Sequence, residues 1–197
     1  MGLPRTPENR VWYRLIDRSH LPTALGSAHS KKTPARFNPG PLLDAPDQFA
    51  TLALADDPIV AQFEVGAVLG TNRPGYHVPH PNLTFVTLNV QVVLREVIDL
   101  TEVNAQAAIS MTVQELTGDW DGYQIRGMRT PVSHPTGIAP TQELGRALFA
   151  TGVEGFRAVS AKVPYHKTLI VFPDNLKNGS GSSLTFNEAG IAVHHIP

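Results

Sequence analysis

Hydrophobic and polar residues alternate most regularly between residues 84 and 94. Every even-numbered position from Val86 to Leu94 is apolar, and polar residues separate most of them. A period of two predicts a strand that buries one face against a core. Residues 11–16, which are apolar and rich in aromatic rings, and residues 51–55 predict two further strands.

A helix is predicted directly after the strand at 51–55. Asp56 or Asp57 can cap its first turn, and Pro58 follows at a position where a missing backbone N–H costs nothing. The apolar pattern carries this helix through Glu64 and towards Gly70. Glu64 therefore lies on a helix of otherwise apolar character.

The rest of the pattern predicts two more helices and four short strands. The helices cover residues 102–116, with Thr101 as the cap, and residues 142–151, with Thr141 as the cap and Gly152 at the end. The later strands cover residues 156–159, 168–172, 184–187 and 191–196. Strands interspersed with helices predict a mixed α/β or α+β domain. The close spacing of the last strands predicts a central sheet that is mixed and largely antiparallel, with helices on its flanks.

Composition narrows the class of protein. The chain has 197 residues, 42% of them hydrophobic, which is enough for one compact domain over residues 1–197. A net charge of −1 gives no basic surplus for direct nucleic-acid binding. No apolar stretch reaches about 18 residues, and the first residues lack an apolar leader, so we expect a soluble cytoplasmic protein without membrane contact.

Familiar catalytic motifs are missing from the sequence. It contains no cysteine, which excludes disulfides, thiolate metal sites and cysteine nucleophiles. It also lacks the dinucleotide-binding, P-loop, zinc-protease and hydrolase-elbow motifs. His77 and His80 have a metal-like spacing but no obvious third ligand, so we expect no metal site.

Several polar residues stand where composition alone would not place them. Arg14 interrupts an apolar strand, Arg36 and Asn38 share a turn with two backbone-bending residues, and Ser160 ends a strand. Each position, taken alone, is also compatible with an ordinary turn, cap or solvent-facing helix. Their order along the chain is more informative than any one of them.

Taken in order, these segments resemble the RES domain family, which is named for its Arg, Glu and Ser. The resemblance covers roughly residues 10–176. The matching segments are VWYRL at 11–15, ARFNPG at 35–40, LALADDPIVAQFEV at 52–65, VIDLT at 97–101, GFRAVSA at 155–161 and LIVFP at 169–173. The family's three namesake residues fall on Arg36, Glu64 and Ser160, and an earlier strand arginine falls on Arg14.

This resemblance implies an enzyme that consumes NAD as a substrate and needs no cofactor. RES proteins have a fold similar to that of ADP-ribosyltransferases, and many are toxins that cleave NAD by hydrolysis or phosphorolysis. A co-expressed Xre-type antitoxin neutralises them. The resemblance also favours a homodimer. Trp12, Trp120 and Tyr123 are candidate interface residues, although tryptophan and tyrosine are also ordinary core residues.

The chemistry of the matching residues suits that reaction. Cleavage of the nicotinamide–ribose bond develops positive charge on the sugar, which the Glu64 carboxylate can stabilise. Arg36, with Arg14 as a second candidate, can bind the pyrophosphate as a bidentate fork. Ser160 can hydrogen-bond the nicotinamide or the ribose, and Asn38 can hold the Arg36 loop and contact the substrate. Nicotinamide leaves as a neutral molecule, so no general acid is required.

Two features depart from the family's pattern. The family commonly has a tyrosine in the strand before the glutamate helix, where this chain has Ala53. The segment between Arg36 and the helix is also longer than usual, with an insertion at residues 44–48. Phe49 or Tyr13 are candidates for the missing ring. Transfer of ADP-ribose to a protein and a catalytically weakened nucleotide-binding module therefore remain alternatives.

Overall fold

The computed structural model describes residues 2–70, 77–79, 84–123, 137–186 and 194–196. The strands within these ranges are β1 Arg5–Asp17, β2 Leu52–Ala55, β3 Val68–Gly70, β4 His77–Pro79, β5 Phe85–Asp99, β6 Gly155–Val159, β7 Lys167–Val171, β8 Ser183–Phe186 and β9 His194–Ile196. The helices are α1 Pro58–Glu64, α2 Val103–Ala108, α3 Val113–Thr117 and α4 Pro140–Ala150. Short 3₁₀ turns cover Arg18–Thr23, Ala28–Lys31, Gly40–Leu42, Ala45–Asp47 and Pro173–Asn175.

The main sheet closes on itself as a small barrel. Its strands run in the order β1-β2-β7-β6-β5, and β1 also pairs with β5 from Arg5 opposite Ile98 to Asp17 opposite Phe85. Strands β8 and β9 extend the sheet beside β5. Strands β5 and β6 are parallel, whereas every other strand pairing among the described residues is antiparallel. The predicted mixed domain with a largely antiparallel sheet is therefore confirmed. The closure of the sheet into a barrel was not predicted.

The barrel encloses the first core cluster. The predicted alternation on β5 is confirmed, because Leu88, Val90, Val92 and Leu94 are all buried while the residues between them are more exposed. Trp12 on β1 is fully buried in the same cluster. Of the two roles considered for Trp12, core residue and interface residue, the structure confirms the first, and a fully buried ring does not line an interface.

A second core cluster lies between the barrel and helices α3 and α4. It is rich in phenylalanine: Phe37, Phe49, Phe156 and Phe172 are buried there together with Leu148 of α4. Large rings bury enough apolar area to dominate such a cluster. Phe37 belongs to the loop that carries Arg36, so this core packs that loop between β6 and α4.

The predicted helix over residues 102–116 is two helices, α2 and α3. Ser110 breaks it with a φ of 55°, a left-handed conformation that a helix cannot include. Thr101 is not the cap, because its hydroxyl donates to Asp99 at 2.6 Å, and Glu102 takes the cap position instead. Helix α3 begins at its own capping box between Thr112 and Glu115.

The other helices differ from prediction at their ends. Helix α1 begins where predicted, with Asp57 as its cap, but it ends at Glu64 because Gly66 adopts a φ of 67°. Helix α4 begins at Pro140, so Ala139 rather than Thr141 is its N-cap residue.

Some predicted features fall outside the described residues. They are His80, Asn187 and the first half of the strand predicted at 191–196, of which β9 is described. Within the described part of the chain, no helix combines the length and the apolar character needed to cross a bilayer.

Candidate functional site

A cavity of about 410 Å³ opens at one end of the barrel. Its walls bring together three of the predicted site residues, Arg14 from β1, Arg36 from the loop before β2, and Glu64 from α1. These residues are far apart in sequence, so their convergence is a property of the fold. Ser160 is buried beside this wall, and its neighbours Val159 and Ala161 line the cavity.

Glu64 reaches the cavity because of how α1 is anchored. The Asp57 carboxylate accepts hydrogen bonds from the backbone amides of Ile59 at 2.7 Å and Val60 at 3.4 Å, which fixes the first turn. Val60 and Ala61 then pack into a small apolar cluster with β1 and β2. One face of this short helix is thus held against the barrel, and its last residue, Glu64, faces the cavity.

Ser160 is hydrogen-bonded directly to Glu64. Its hydroxyl donates to Glu64 Oε1 at 2.5 Å and accepts from the backbone amides of Lys162 at 3.2 Å and Val163 at 3.0 Å. A serine hydroxyl has one hydrogen and two lone pairs, so all three are engaged. In this arrangement Ser160 orients the carboxylate and has no hydrogen-bonding capacity left for the predicted contact with a substrate.

The Arg36 guanidinium binds backbone carbonyls of the protein, and the residue also lines the cavity. Its Nη1 donates to the carbonyl of Leu116 at 3.3 Å and also to that of Gly118. Burial lowers the pKa of Arg36, and the negative charges of Glu64 and then Asp119 oppose that decrease. Arg36 therefore also anchors the segment that brings Trp120 to the cavity.

Asn38 holds the Arg36 loop from inside the protein. Its side-chain amide is fully buried and donates to the carbonyls of Ser30 at 3.0 Å and Phe49 at 3.1 Å. Its oxygen accepts from the amide of Gly40 at 2.9 Å. This placement agrees with the predicted role in tying down the loop, but it does not support the predicted contact between Asn38 and a substrate.

Arg14 adds a second guanidinium to the cavity. It donates to the carbonyl of Gly26 at 3.4 Å, and burial lowers its pKa to about 10, so it remains a cation at neutral pH. Burial, and then the charges of Arg14 and His20, lower the pKa of the neighbouring His29, which keeps that imidazole neutral at pH 7. With Lys162, which also lines the cavity, cations outnumber the single carboxylate of Glu64 among the lining side chains.

The aromatic side chains of Tyr13, Phe37 and Trp120 line the cavity, while Ala53 is the small residue on the β2 side. Phe49 does not supply a ring there, because it is fully buried and stacks on Phe149 with ring centroids 4.5 Å apart. From the sequence, Trp120 is a candidate for either an interface or the core. Its place in the cavity could not be predicted, since nothing in its local pattern indicates that Arg36 binds the segment before it.

Sequence reasoning also missed Lys162 and His29 as cavity residues. Lys162 follows Ser160 by two positions, and that proximity was the available signal. His29 lies in a 3₁₀ turn that only the folded chain brings beside Arg14. Across the residues that the structure describes, no group of three or more His, Asp or Glu side chains could hold a metal ion.

Comparison with known proteins agrees with the resemblance seen in the sequence. Residues 11–186 match the family model of the RES domain. The fold is similar to that of a chain in the crystal structure of the M. tuberculosis MbcT-MbcA toxin-antitoxin complex. That match has a TM-score of 0.65 and 19% sequence identity, and it covers 93% of this chain and 84% of the other. No curated protein is significantly similar in sequence.

Proposed function

Because the chain belongs to the RES domain family, we propose that it is an enzyme that cleaves the nicotinamide–ribose bond of NAD. The observation that carries this proposal is the meeting of one oriented carboxylate, Glu64, with two guanidinium groups, Arg14 and Arg36, in a single cavity. NAD has an anionic pyrophosphate and a ribose that becomes positively charged as the bond to nicotinamide breaks, so its cleavage calls for both cations and a carboxylate. We also propose that the fold is similar to that of ADP-ribosyltransferases.

Glu64 acts on the sugar. As the bond to nicotinamide breaks, positive charge spreads over the ribose ring, and a fixed negative charge beside it lowers the energy of that transition state. Ser160 keeps one carboxylate oxygen occupied at 2.5 Å, which leaves Oε2 to face the ribose. Nicotinamide departs as a neutral base, so the reaction needs no proton donor.

Arg14 and Arg36 act on the pyrophosphate. Guanidinium groups bind phosphate oxygens through paired, charge-assisted hydrogen bonds, which are stronger than neutral ones. Arg36 keeps part of its donor set for the carbonyls of Leu116 and Gly118, and the rest faces the cavity. The aromatic rings of Tyr13 and Trp120 offer flat surfaces for a nicotinamide or adenine ring.

We also propose that the chain is the toxin of a toxin–antitoxin pair, acts in the cytoplasm, and is neutralised by an Xre-type antitoxin. The family supports this proposal, as does the similarity in fold to a chain of a toxin-antitoxin complex. A homodimer is part of the same proposal. Co-expression with the neighbouring gene tests the toxin–antitoxin proposal, because the antitoxin is expected to restore growth and to co-purify with this chain.

Incubation of the purified protein with NAD tests the activity. Chromatography of the products distinguishes free ADP-ribose, formed with water, from ADP-ribose 1″-phosphate, formed when phosphate is the nucleophile. A modified acceptor protein would instead indicate ADP-ribosyl transfer. We expect release of nicotinamide without acceptor protein, and complete absence of turnover would contradict the proposal.

Replacing Arg36 with alanine is expected to raise the KM for NAD about 10- to 100-fold. The loss of charge-assisted hydrogen bonds to a phosphate costs about 1.5–3 kcal/mol. Steady-state kinetics measure the change. The matched control is Arg146→Ala, because Arg146 lies on the exposed side of α4 and pairs with Glu143 at 2.8 Å. Equal KM values for the two variants would remove Arg36 from substrate binding.

A further inference from the structure

Asp56 joins the start of α1 to the strand that follows the Ser160 loop. Its Oδ2 accepts from the backbone amide of Lys167 at 2.9 Å, and its own amide donates to the carbonyl of Lys167 at 3.1 Å. Its Oδ1 lies 3.1 Å from Nδ1 of His166. A carboxylate accepts and cannot donate, so this contact places the hydrogen of the imidazole on Nδ1.

His166 continues this connection to Ser160. The carbonyl of His166 accepts from the backbone amide of Ser160 at 2.8 Å, which closes the loop of residues 160–166 at its base. Within the same loop, the amides of Lys162 and Val163 donate to the Ser160 hydroxyl and fix it. The hydrogen of that hydroxyl then has one available direction, towards Glu64.

From this chain of contacts we propose that Asp56, acting through His166, is a positioning residue for Glu64. Asp56 directly precedes the cap of α1, and Glu64 ends that helix, so Asp56 holds both elements that meet in the Ser160–Glu64 hydrogen bond. Loosening the loop at its base frees Ser160, and the carboxylate then samples orientations that do not face the ribose. The inference rests on the proposed function of Glu64.

The contacts distinguish Asp56 from the other acidic residues near the site. Asp57 instead uses its carboxylate to cap α1, through the amides of Ile59 and Val60. The side chain of Asp56 is 17% exposed, whereas that of His166 is 40% exposed, so the bond between them is partly shielded from water. A partly buried pair resists screening better than an exposed one, and its geometry is accordingly better defined.

The test compares Asp56→Ala with a matched control, Asp47→Ala, whose carboxylate is exposed on the Ala45–Asp47 turn. We expect Asp56→Ala to lower kcat for NAD cleavage about 10- to 100-fold, because misplacing a reacting group by about 1 Å has effects of that size. We expect KM to change less than about twofold, since the hydrogen bonds described for Arg14 and Arg36 go to Gly26, Leu116 and Gly118 and not to Asp56 or His166. A kcat equal to that of Asp47→Ala would overturn the proposal.

Two further variants separate positioning from simple loss of stability. Asp56→Asn is expected to recover kcat to within about threefold, because a carboxamide accepts from Lys167 and donates to the other tautomer of His166. His166→Ala leaves the strand contacts of Asp56 in place and is expected to lower kcat with KM retained. If Asp56→Asn is as impaired as Asp56→Ala at equal folded fraction, the geometric explanation fails.

Hydrogen exchange distinguishes failure of this inference from failure of the proposed function. In Asp56→Ala we expect the amides of Lys162 and Val163 to exchange about tenfold faster or more, while Asp47→Ala leaves them unchanged. If the wild-type protein does not turn over NAD, the proposed function fails, and the exchange rates still decide whether Asp56 holds the loop. Unchanged exchange of these amides in Asp56→Ala would show that Asp56 does not hold the loop of residues 160–166, and would reject the inference.

Discussion

Replacing Glu64 with glutamine is expected to lower kcat for NAD cleavage by about 10²- to 10³-fold or more. The substitution removes the negative charge that stabilises the developing positive charge on the ribose, and fixed charges of this kind contribute factors of that size. Its effect on KM is expected to be small, because the interaction strengthens only in the transition state. Nicotinamide release under saturating NAD measures the change.

The same substitution is expected to leave the fold intact. A glutamine side chain keeps an oxygen that can accept from Ser160, so the hydroxyl bound at 2.5 Å retains a partner. Thermal unfolding checks this expectation. Glu143→Gln is the control, since the same chemical change there lies on the exposed side of α4, at a residue that does not line the cavity. Undiminished turnover in Glu64→Gln would exclude the carboxylate from the mechanism.

Local patterns predicted the elements that depend on local physics. The alternation on β5 requires one buried face, and Leu88, Val90, Val92 and Leu94 occupy it. The cap of α1 was predicted because an aspartate before Pro58 can satisfy the free amides of a first turn, and Asp57 does so. Propensity and capping are short-range effects, so a sequence displays them directly.

The misplaced boundaries have causes that lie outside the local pattern. The apolar pattern continues through residues 102–116, but Ser110 takes a left-handed conformation and splits the helix. Closure of the barrel requires β1 to pair with both β2 and β5, and such a choice of partners across the chain has no signature in either strand alone. At the closure of the barrel, pairing between distant strands adds a constraint that local preference does not contain.

The site could be predicted as a set of residues but not as an arrangement. The order of Arg36, Glu64 and Ser160 along the chain identified the family, and the fold brings the first two to one cavity with Ser160 behind Glu64. The roles of Ser160 and Asn38 depend on how much of each side chain's hydrogen-bonding capacity is taken by backbone groups. Those bonds join segments distant in sequence, so only the folded chain reveals them.

Replacing Gly145 with alanine is expected to destabilise the protein by about 2 kcal/mol, although alanine is the better helix former. A Cβ at this position of α4 would lie 1.9 Å from the carbonyl oxygen of Phe37, so the helix and the Arg36 loop must separate. Overpacking of this kind costs about 3 kcal/mol, and the gain in helix propensity returns about 1 kcal/mol. Thermal unfolding is expected to show a decrease in Tm of about 4–8 °C.

The reverse change on the exposed face of the same helix provides the control. Ala147→Gly is expected to destabilise by about 1 kcal/mol through propensity alone, with no effect on KM. Gly145→Ala is expected to raise the KM for NAD as well, because Phe37 directly follows Arg36 and α4 also holds this loop through Gln142, which donates to the carbonyl of Ala35 at 2.9 Å. A stabilised Gly145→Ala protein with unchanged KM would contradict the close packing of α4 on the loop. The absence of a side chain at Gly145 thus allows α4 to pack closely on the carbonyl of Phe37, the residue that follows Arg36, and for this reason we expect a change in the second core to affect substrate binding.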